Sequence, residues 1–420
     1  MFAKKPEKGM RDILPKDLLL REKVMKTIED TYRLYGFSRI ETPCVEDIGL
    51  LTGKNGGDNE KLIFRILKRG EKLAENDGQL CDCGLRYDLT VPLTRFYSNN
   101  SASLPSVFKA MQIGNVWRAD NPQKGRFRQF VQCDIDVIGE KSAIAEIELI
   151  SATTEALWNL GFSGFTVRIN DRRILRAIAV YCGFKEEDFD KVYISLDKLD
   201  KIGMDGVLKE LTDIGAGEEC AYKLRDCVEE IRNADNPLEK AKETLADALE
   251  EGVADNLKEI FDTSRALVGN CNIVFDVTLV RGMNYYTGTI FEIAMDGLGY
   301  SVAGGGRYDK LLGKFTGKDI PACGFSIGFE RIVSVLAERG DFSVEERAEA
   351  VIVPKESTAE LIRRAMKLAE EKRKAGIRCT VLKKTKNFRQ QLDELLREGF
   401  GTAFVMSETG EMKEMELSVK

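Results

Sequence analysis

Between residues 118 and 136 the chain reads RADNPQKGRFRQFVQCDID, and its polar residues are sorted by kind. Arg118, Lys124, Arg126 and Arg128 crowd a turn containing Gly125. In the strand pattern that follows, Gln132, Asp134 and Asp136 share one face, and Val131, Cys133, Ile135 and Val137 share the other. The first part reads as a solvated hairpin or a grip on phosphate, the second as an ordinary strand or a cage for an amine. Two more arginines, Arg281 in LVRGMNYYTG and Arg331 in GFSIGFERI, stand at a turn and at a strand-to-helix step. Each alone is equally a surface cation. Together, Arg118, Arg126, Arg281 and Arg331 fall at strand ends or turns of one predicted sheet, and several planar guanidinium forks in one place suit a polyphosphate anion. The glycines at 304–306 lack the G-K-[ST] of a phosphate loop, so they are expected to let the sheet pack closely against a ligand or another backbone.

Composition narrows the chemistry. The 420 residues include no histidine, which removes the commonest general base and metal ligand and excludes triads and histidine-based zinc sites. The ten cysteines are scattered, and the tightest pair, Cys81 and Cys83, lacks the partners a zinc site needs, so reduced packing thiols are expected and no protein metal site. What remains is positioning and charge stabilisation by Arg, Lys, carboxylates and Tyr. The net charge is −6, yet residues 351–420 carry 15 Lys+Arg against 11 Asp+Glu, a basic end piece able to meet a phosphate backbone. The opening MFAKKPEKGMRDILP has no apolar stretch of the signal-peptide kind, and no run of about 18 apolar residues occurs, which points to the cytoplasm and to no membrane partner.

These side chains need elements to hold them. Residues 17–36 predict an amphipathic helix ending at Gly36, and FSRIETPCVE a strand broken by Pro43 and so confined to an edge or interface. A hairpin around Asp77–Gly78 follows, then a helix opened by Pro92, the two strands flanking the 118–128 loop, a helix over 143–160 and the strand FTVRIND. Residues 172–265 are helical in pattern, an insertion before β character returns over 273–292 and 301–309, followed by a strand running into a helix over 322–340. The expected class is α+β, an antiparallel sheet with flanking helices. The end piece has its own β-α-β period, with helices at 357–375 and near 388–398.

The loop within WRADNPQKGRFRQFVQCDID resembles motif 2 of the class II aminoacyl-tRNA synthetases, and GFSIGFERI resembles their motif 3. KGMRDILP with RIETPCVE is similar to the opening and motif 1 of the histidyl-tRNA synthetase family. LRYDLTVPLTRF, LVRGMNYYTGTIFE and AGGGRYDKL are similar to that family's substrate segments. The matches run in family order from residue 9 to 331.

The resemblance implies an antiparallel class II core in two parts, 1–171 and 266–340, a helical insertion at 172–265 and an anticodon-binding-like α/β domain at 345–420. It implies Arg118 on the α-phosphate of ATP, Arg126 and Arg331 on the outer phosphates, Asp120 near adenine and Phe130 stacked on it. Asp88, Thr90 and Gln132 would hold the α-amino group of L-histidine. Asp136 and Tyr286 would bond the imidazole, with Tyr308 lining the pocket. Arg281 would sit where the carboxylate attacks, with Mg²⁺ assisting, and Gln123 and Lys124 would face the acceptor end of tRNA(His). A homodimer is implied by motif 1. Asn284 departs from the family's usual Asp beside Arg281. The rival reading is a noncatalytic histidine-sensing paralogue resembling the regulatory subunit of ATP phosphoribosyltransferase. Such paralogues typically lose the arginine equivalent to Arg281 and the anticodon domain, and this chain has both features.

Overall fold

The computed structural model describes residues 4–52, 58–74, 78–123, 125–269, 271–281, 285–340 and 348–417. The chain divides into two compact units, Met1–Met10 with Met25–Ser334 and Arg11–Val24 with Val335–Lys420.

The first unit is built on an eight-stranded sheet. Its strands are β1 (Ser38–Arg39), β5 (Phe108–Trp117), β6 (Gln129–Ile138), β7 (Phe165–Asp171), β8 (Asn272–Phe275), β9 (Thr289–Met295), β10 (Ser301–Arg307) and β11 (Ala322–Ile327). The spatial order is β1-β5-β6-β11-β10-β9-β7-β8. The two outer pairs are parallel and the five between them antiparallel, as the α+β expectation requires. A separate three-stranded sheet joins β2 (Val45–Asp47), β3 (Arg65–Leu67) and β4 (Cys81–Leu85) in the order β2-β4-β3. Pro43 does split its strand: β1 ends before it and β2 starts after it, and each half sits at a sheet edge.

Two expectations need adjustment. The helix carrying Pro92 begins earlier, at Thr90, because the Asp88 carboxylate accepts the Val91 amide at 3.1 Å and Pro92 is tolerated within the first turn. The β3–β4 connection contains a short helix, Glu71–Ala74, and Asp77 of the expected turn lies outside the described residues.

One face of the large sheet is apolar. Val131, Cys133, Ile135 and Val137 are buried, with the Phe325 and Phe291 rings beside them tilted against each other at 4.5 Å between centroids. Helix Ile144–Asn159 packs against β6 and β11, and helix Val253–Leu267 packs against that helix and against β7 and β8. A bidentate ion pair from Arg307 to Glu146, at 2.7 and 2.6 Å, ties the end of β10 to this layer, and both side chains are buried. Between β7 and β8 the chain is helical from Arg172 to Leu267. The first of these helices is capped by the Asp171 carboxylate and ended by Gly183 at φ +86°.

The second unit holds β12 (Ala348–Val353), β13 (Arg378–Lys383), β14 (Thr402–Met406) and β15 (Met412–Glu416) in the order β13-β12-β14-β15. The first three are parallel, crossing through helices Ala359–Lys374 and Phe388–Arg397, and β15 adds an antiparallel edge. All ten cysteines are free thiols. Among the described residues no helix is long and apolar enough to cross a membrane.

Candidate active site

The polar face of β6 lies on a registered grid. Across six strands, Gln112, Asp134, Ser326, Gly304, Glu292 and Arg168 stand opposite one another in turn. In the row two residues along are Asp136, Gly324 and Gly306. The glycines make room for the site's own side chains. A Cβ on Gly304 would collide with the guanidinium of Arg281, one on Gly306 with the Tyr286 ring, and one on Gly324 with the Asp136 carboxylate. The triple glycine therefore serves close approach, of the Arg281 side chain at Gly304 and of neighbouring backbone at Gly305 and Gly306.

Three arginines gather at one side. Arg331 donates to the Ser301 carbonyl and stacks on Tyr300 at 4.9 Å, and burial together with the fields of Arg126 and Arg281 pulls its pKa down. Like charges held this close favour an anion between them. Arg281 is anchored by Glu292 at 2.6 Å, which in turn faces Arg168 at 3.6 Å. Arg118 is placed from the other side: its Nε donates to the Tyr87 carbonyl at 2.9 Å, its Nη2 to Gln132 Oε1 at 3.3 Å, and its guanidinium covers the Phe130 ring at 5.2 Å.

The loop between β5 and β6 closes on itself. Gln123 and Arg126 exchange two backbone hydrogen bonds, with Gly125 at φ +75°, and both side chains are exposed. Arg128 donates its amide to the Gly9 carbonyl and its Nε to the Asp120 carbonyl at 3.0 Å. Gly9 has φ +82°, and a Cβ there would strike Pro122 and Arg128. The KGM opening thus braces the loop. Lys124 and Asn284 lie outside the described residues.

Beneath the arginines is a nest of acids and phenols. Burial pushes Asp88 up to about 6, opposed by the Val91 amide and by Arg118. Burial likewise pushes Asp134 up to about 7, opposed by bonds from Ser326 and Gln132. Asp136 is raised well above the usual carboxylate range by burial and then by the charge of Asp134, although the Tyr308 hydroxyl donates to it at 2.5 Å. Tyr285 packs edge-on to both Tyr286 at 4.9 Å and Tyr308 at 5.8 Å, and its hydroxyl lies against Thr90. Burial raises Tyr286 to about 12, with Arg281 pulling down and Asp134 pushing up, so this phenol stands between the cations and the acids. Asp88 Oδ2 and Asp136 Oδ2 are buried without a hydrogen-bond partner. A ligand carrying N–H donors and positive charge would satisfy both.

Of the site residues anticipated from sequence, the described ones gather around this pocket, with Asp120 half-buried at the root of the loop and Gln123 at its exposed tip. Sequence reasoning gave no role to Asp134, Tyr285, Glu292 or Ser326. Asp134 was legible as the middle of an alternating triad and Tyr285 as half of a Tyr-Tyr pair. Glu292 and Ser326 carried no local signal, since only strand register sets them beside Gly304.

A largely antiparallel sheet bearing an arginine-rich loop between two of its strands, with a further arginine at the strand-to-helix step after β11, defines a class II aminoacyl-tRNA synthetase core. The family model for histidyl-tRNA synthetase matches residues 9–332. The chain is 44% identical over 417 residues to the histidine–tRNA ligase of Leifsonia xyli, covering 96% of each, and 37% identical over 396 residues to that of Aeropyrum pernix, covering 90% of this chain and 84% of the relative. The crystal structure of histidyl-tRNA synthetase from Nostoc sp. superposes with a TM-score of 0.79 at 26% identity, over 99% of this chain and 97% of that one. The chain belongs to the histidyl-tRNA synthetase family.

Proposed function

We infer that this protein charges tRNA(His) with L-histidine through a histidyl-adenylate formed from ATP. The observation that carries the reading is the pair of unpartnered buried carboxylate oxygens, on Asp88 and Asp136, beside a cluster of guanidinium groups. Such a pocket takes a cationic amine and imidazole at one end and a polyphosphate at the other.

In the first step the histidine carboxylate attacks the α-phosphorus, the bond to the bridging oxygen breaks, and pyrophosphate leaves. Arg281, held by Glu292, stabilises the charge growing on the α-phosphate, and Arg118 holds that phosphate from the opposite side. Arg126 and Arg331 grip the outer phosphates, while Phe130 and Asp120 take the adenine. Asp88, Thr90 and Gln132 hold the α-ammonium. Asp136, oriented by Tyr308, and Tyr286 hold the two imidazole nitrogens, so an apolar isostere would leave buried polar groups unpaired. In the second step a terminal ribose hydroxyl of the tRNA takes the acyl group and AMP leaves. Neither step requires a histidine base. Among the described residues no group of three or more Asp, Glu or Cys is arranged to hold a metal, and Mg²⁺ enters as the magnesium salt of the ATP substrate.

The organisation follows. Residues 1–171 and 266–340 carry catalysis, 172–265 form the helical insertion, and 345–420, with net positive charge, read the anticodon stem-loop; Gln123 and Lys124 face the acceptor end. The protein works in the cytoplasm as a homodimer, a reading supported by the motif 1 resemblance. The crystal structure of an ATP phosphoribosyltransferase regulatory subunit/histidyl-tRNA synthetase from Bacillus halodurans is 22% identical to this chain, with a TM-score of 0.74, a likeness of fold alone. The presence of Arg281 favours the ligase over a sensor. Amino-acid-dependent pyrophosphate exchange with each of the twenty amino acids tests the reading: histidine alone should support it. Exchange with none would favour the sensor, and exchange with another would reassign the substrate.

A further inference from the structure

We propose that Asp134 is a positioning residue that fixes which atom of Gln132 faces the amino acid, and so makes this corner of the pocket selective for a protonated amine. The proposal rests on the histidine-charging reading of the same pocket.

An amide side chain presents an oxygen or an NH₂ group depending on a half-turn about its last bond. Here the choice is made by the neighbours on either side of the amide. The Gln132 Nε2 group donates to both oxygens of Asp134, at 3.2 and 3.1 Å, and approaches Ser326 Oγ at 3.3 Å. Its Oε1 accepts from Arg118 Nη2 at 3.3 Å. Above about pH 7, where Asp134 is ionised, its carboxylate only accepts and the guanidinium only donates, so a reversed amide would set NH₂ against cation and oxygen against anion. Asp134 is 4% exposed and in register with Ser326 on β11, whose hydroxyl also bonds it. Gln112, opposite Asp134 on β5, is engaged elsewhere, donating to the Leu89 carbonyl at 3.0 Å and accepting from Thr42 at 3.2 Å.

The consequence is chemical selectivity at one atom. With both amide protons directed to Asp134 and Ser326, the free lone pair of Oε1 is what Gln132 offers a ligand. An ammonium is accepted there and a hydrogen-bond acceptor is repelled. Asp134 acts on the ligand through Gln132.

Asp134→Asn keeps the shape but can donate as well as accept, so it no longer dictates the orientation. In pyrophosphate exchange this variant should raise the KM for histidine about tenfold, the scale of one lost charge-assisted hydrogen bond, while kcat and the KM for ATP stay within about twofold. The exchanged pair, Gln132→Glu with Asp134→Asn, always presents an oxygen and should restore the KM for histidine to within about threefold of wild type. A wild-type KM for histidine in Asp134→Asn, an equal rise in the KM for ATP, or no recovery in the exchanged pair would each overturn the proposal. A ligand-free readout separates it from the functional reading. The Gln132 side-chain amide, identified in ¹⁵N spectra by its loss in Gln132→Glu, should be held and slow to exchange in wild type and freed in Asp134→Asn. That pattern in a protein lacking histidine-dependent exchange would leave the positioning role intact and remove the substrate assignment; a freely exchanging amide in wild type would overturn the positioning role itself.

Discussion

The guanidinium of Arg281 occupies the space in which a side chain on Gly304 would stand. The two residues lie 23 positions apart, and β10 pairs with β9 so that Gly304 also faces Glu292, the carboxylate that holds Arg281 at 2.6 Å. One residue of the sheet thus clears the seat and its neighbour supplies the anchor.

Gly304→Ala should therefore act as a partial deletion of Arg281. We expect Arg281→Ala to slow adenylate formation by about 10²–10³-fold with ATP binding changed little, because its charge matters most as the transition state forms. Gly304→Ala should reproduce a large part of that loss and add little to it in the double variant. Pyrophosphate exchange kinetics with ATP binding by calorimetry measure this; fully additive effects would place Gly304 outside the Arg281 seat.

The raised carboxyl groups make stability depend on pH with a definite sign. Asp88 and Asp134 titrate near 6 and 7 in the folded protein, above the ordinary value of 3.8, so between about pH 4 and 7 the folded state binds more protons than the unfolded. Their contribution is fully present at low pH and is lost as pH rises through 6 and 7. The ligand-free protein should become easier to unfold from about pH 4.5 to 7, with a slope approaching about 1.4 kcal/mol per pH unit from each group below its folded value and levelling off above it. Denaturant titrations across that range should show it, and Asp134→Asn should flatten the upper part. Because a bound ammonium favours ionised carboxylates, histidine should stabilise more at pH 8 than at pH 6.

Glu146→Ala should be severe although the residue touches no substrate. It would leave the Arg307 guanidinium, which donates to both Glu146 oxygens, buried without its main counter-charge. Breaking such a pair typically costs about 3–5 kcal/mol. Equilibrium unfolding would measure the loss, and a change under about 1 kcal/mol would mean the site relaxes to admit water.

Removing residues 345–420 should leave histidine-dependent pyrophosphate exchange largely intact while tRNA charging falls steeply. The β12–β15 sheet has its own buried clusters around Val351 and Ile352. Parallel loss of both activities would assign it a supporting role in catalysis.

Much of this architecture was legible from local patterns. The alternation along Gln129–Ile138 put Gln132, Asp134 and Asp136 on one face, since strand geometry turns every second residue the same way. The break at Pro43, the helical run after Asp171 and the β-α-β period of the end piece followed from equally local causes. Motifs in family order carried the family, and four arginines at strand ends and turns suited one anion. What the chain could not declare by itself is which residues lie side by side across strands. Gly304 under Arg281, Glu292 as its anchor and Arg307 on Glu146 all depend on packing between segments from 11 to 161 residues apart. Pairing is chosen by the burial of the whole sheet rather than by any one stretch, and hydrogen-bond direction and pKa are then set by neighbours that only the packed sheet supplies.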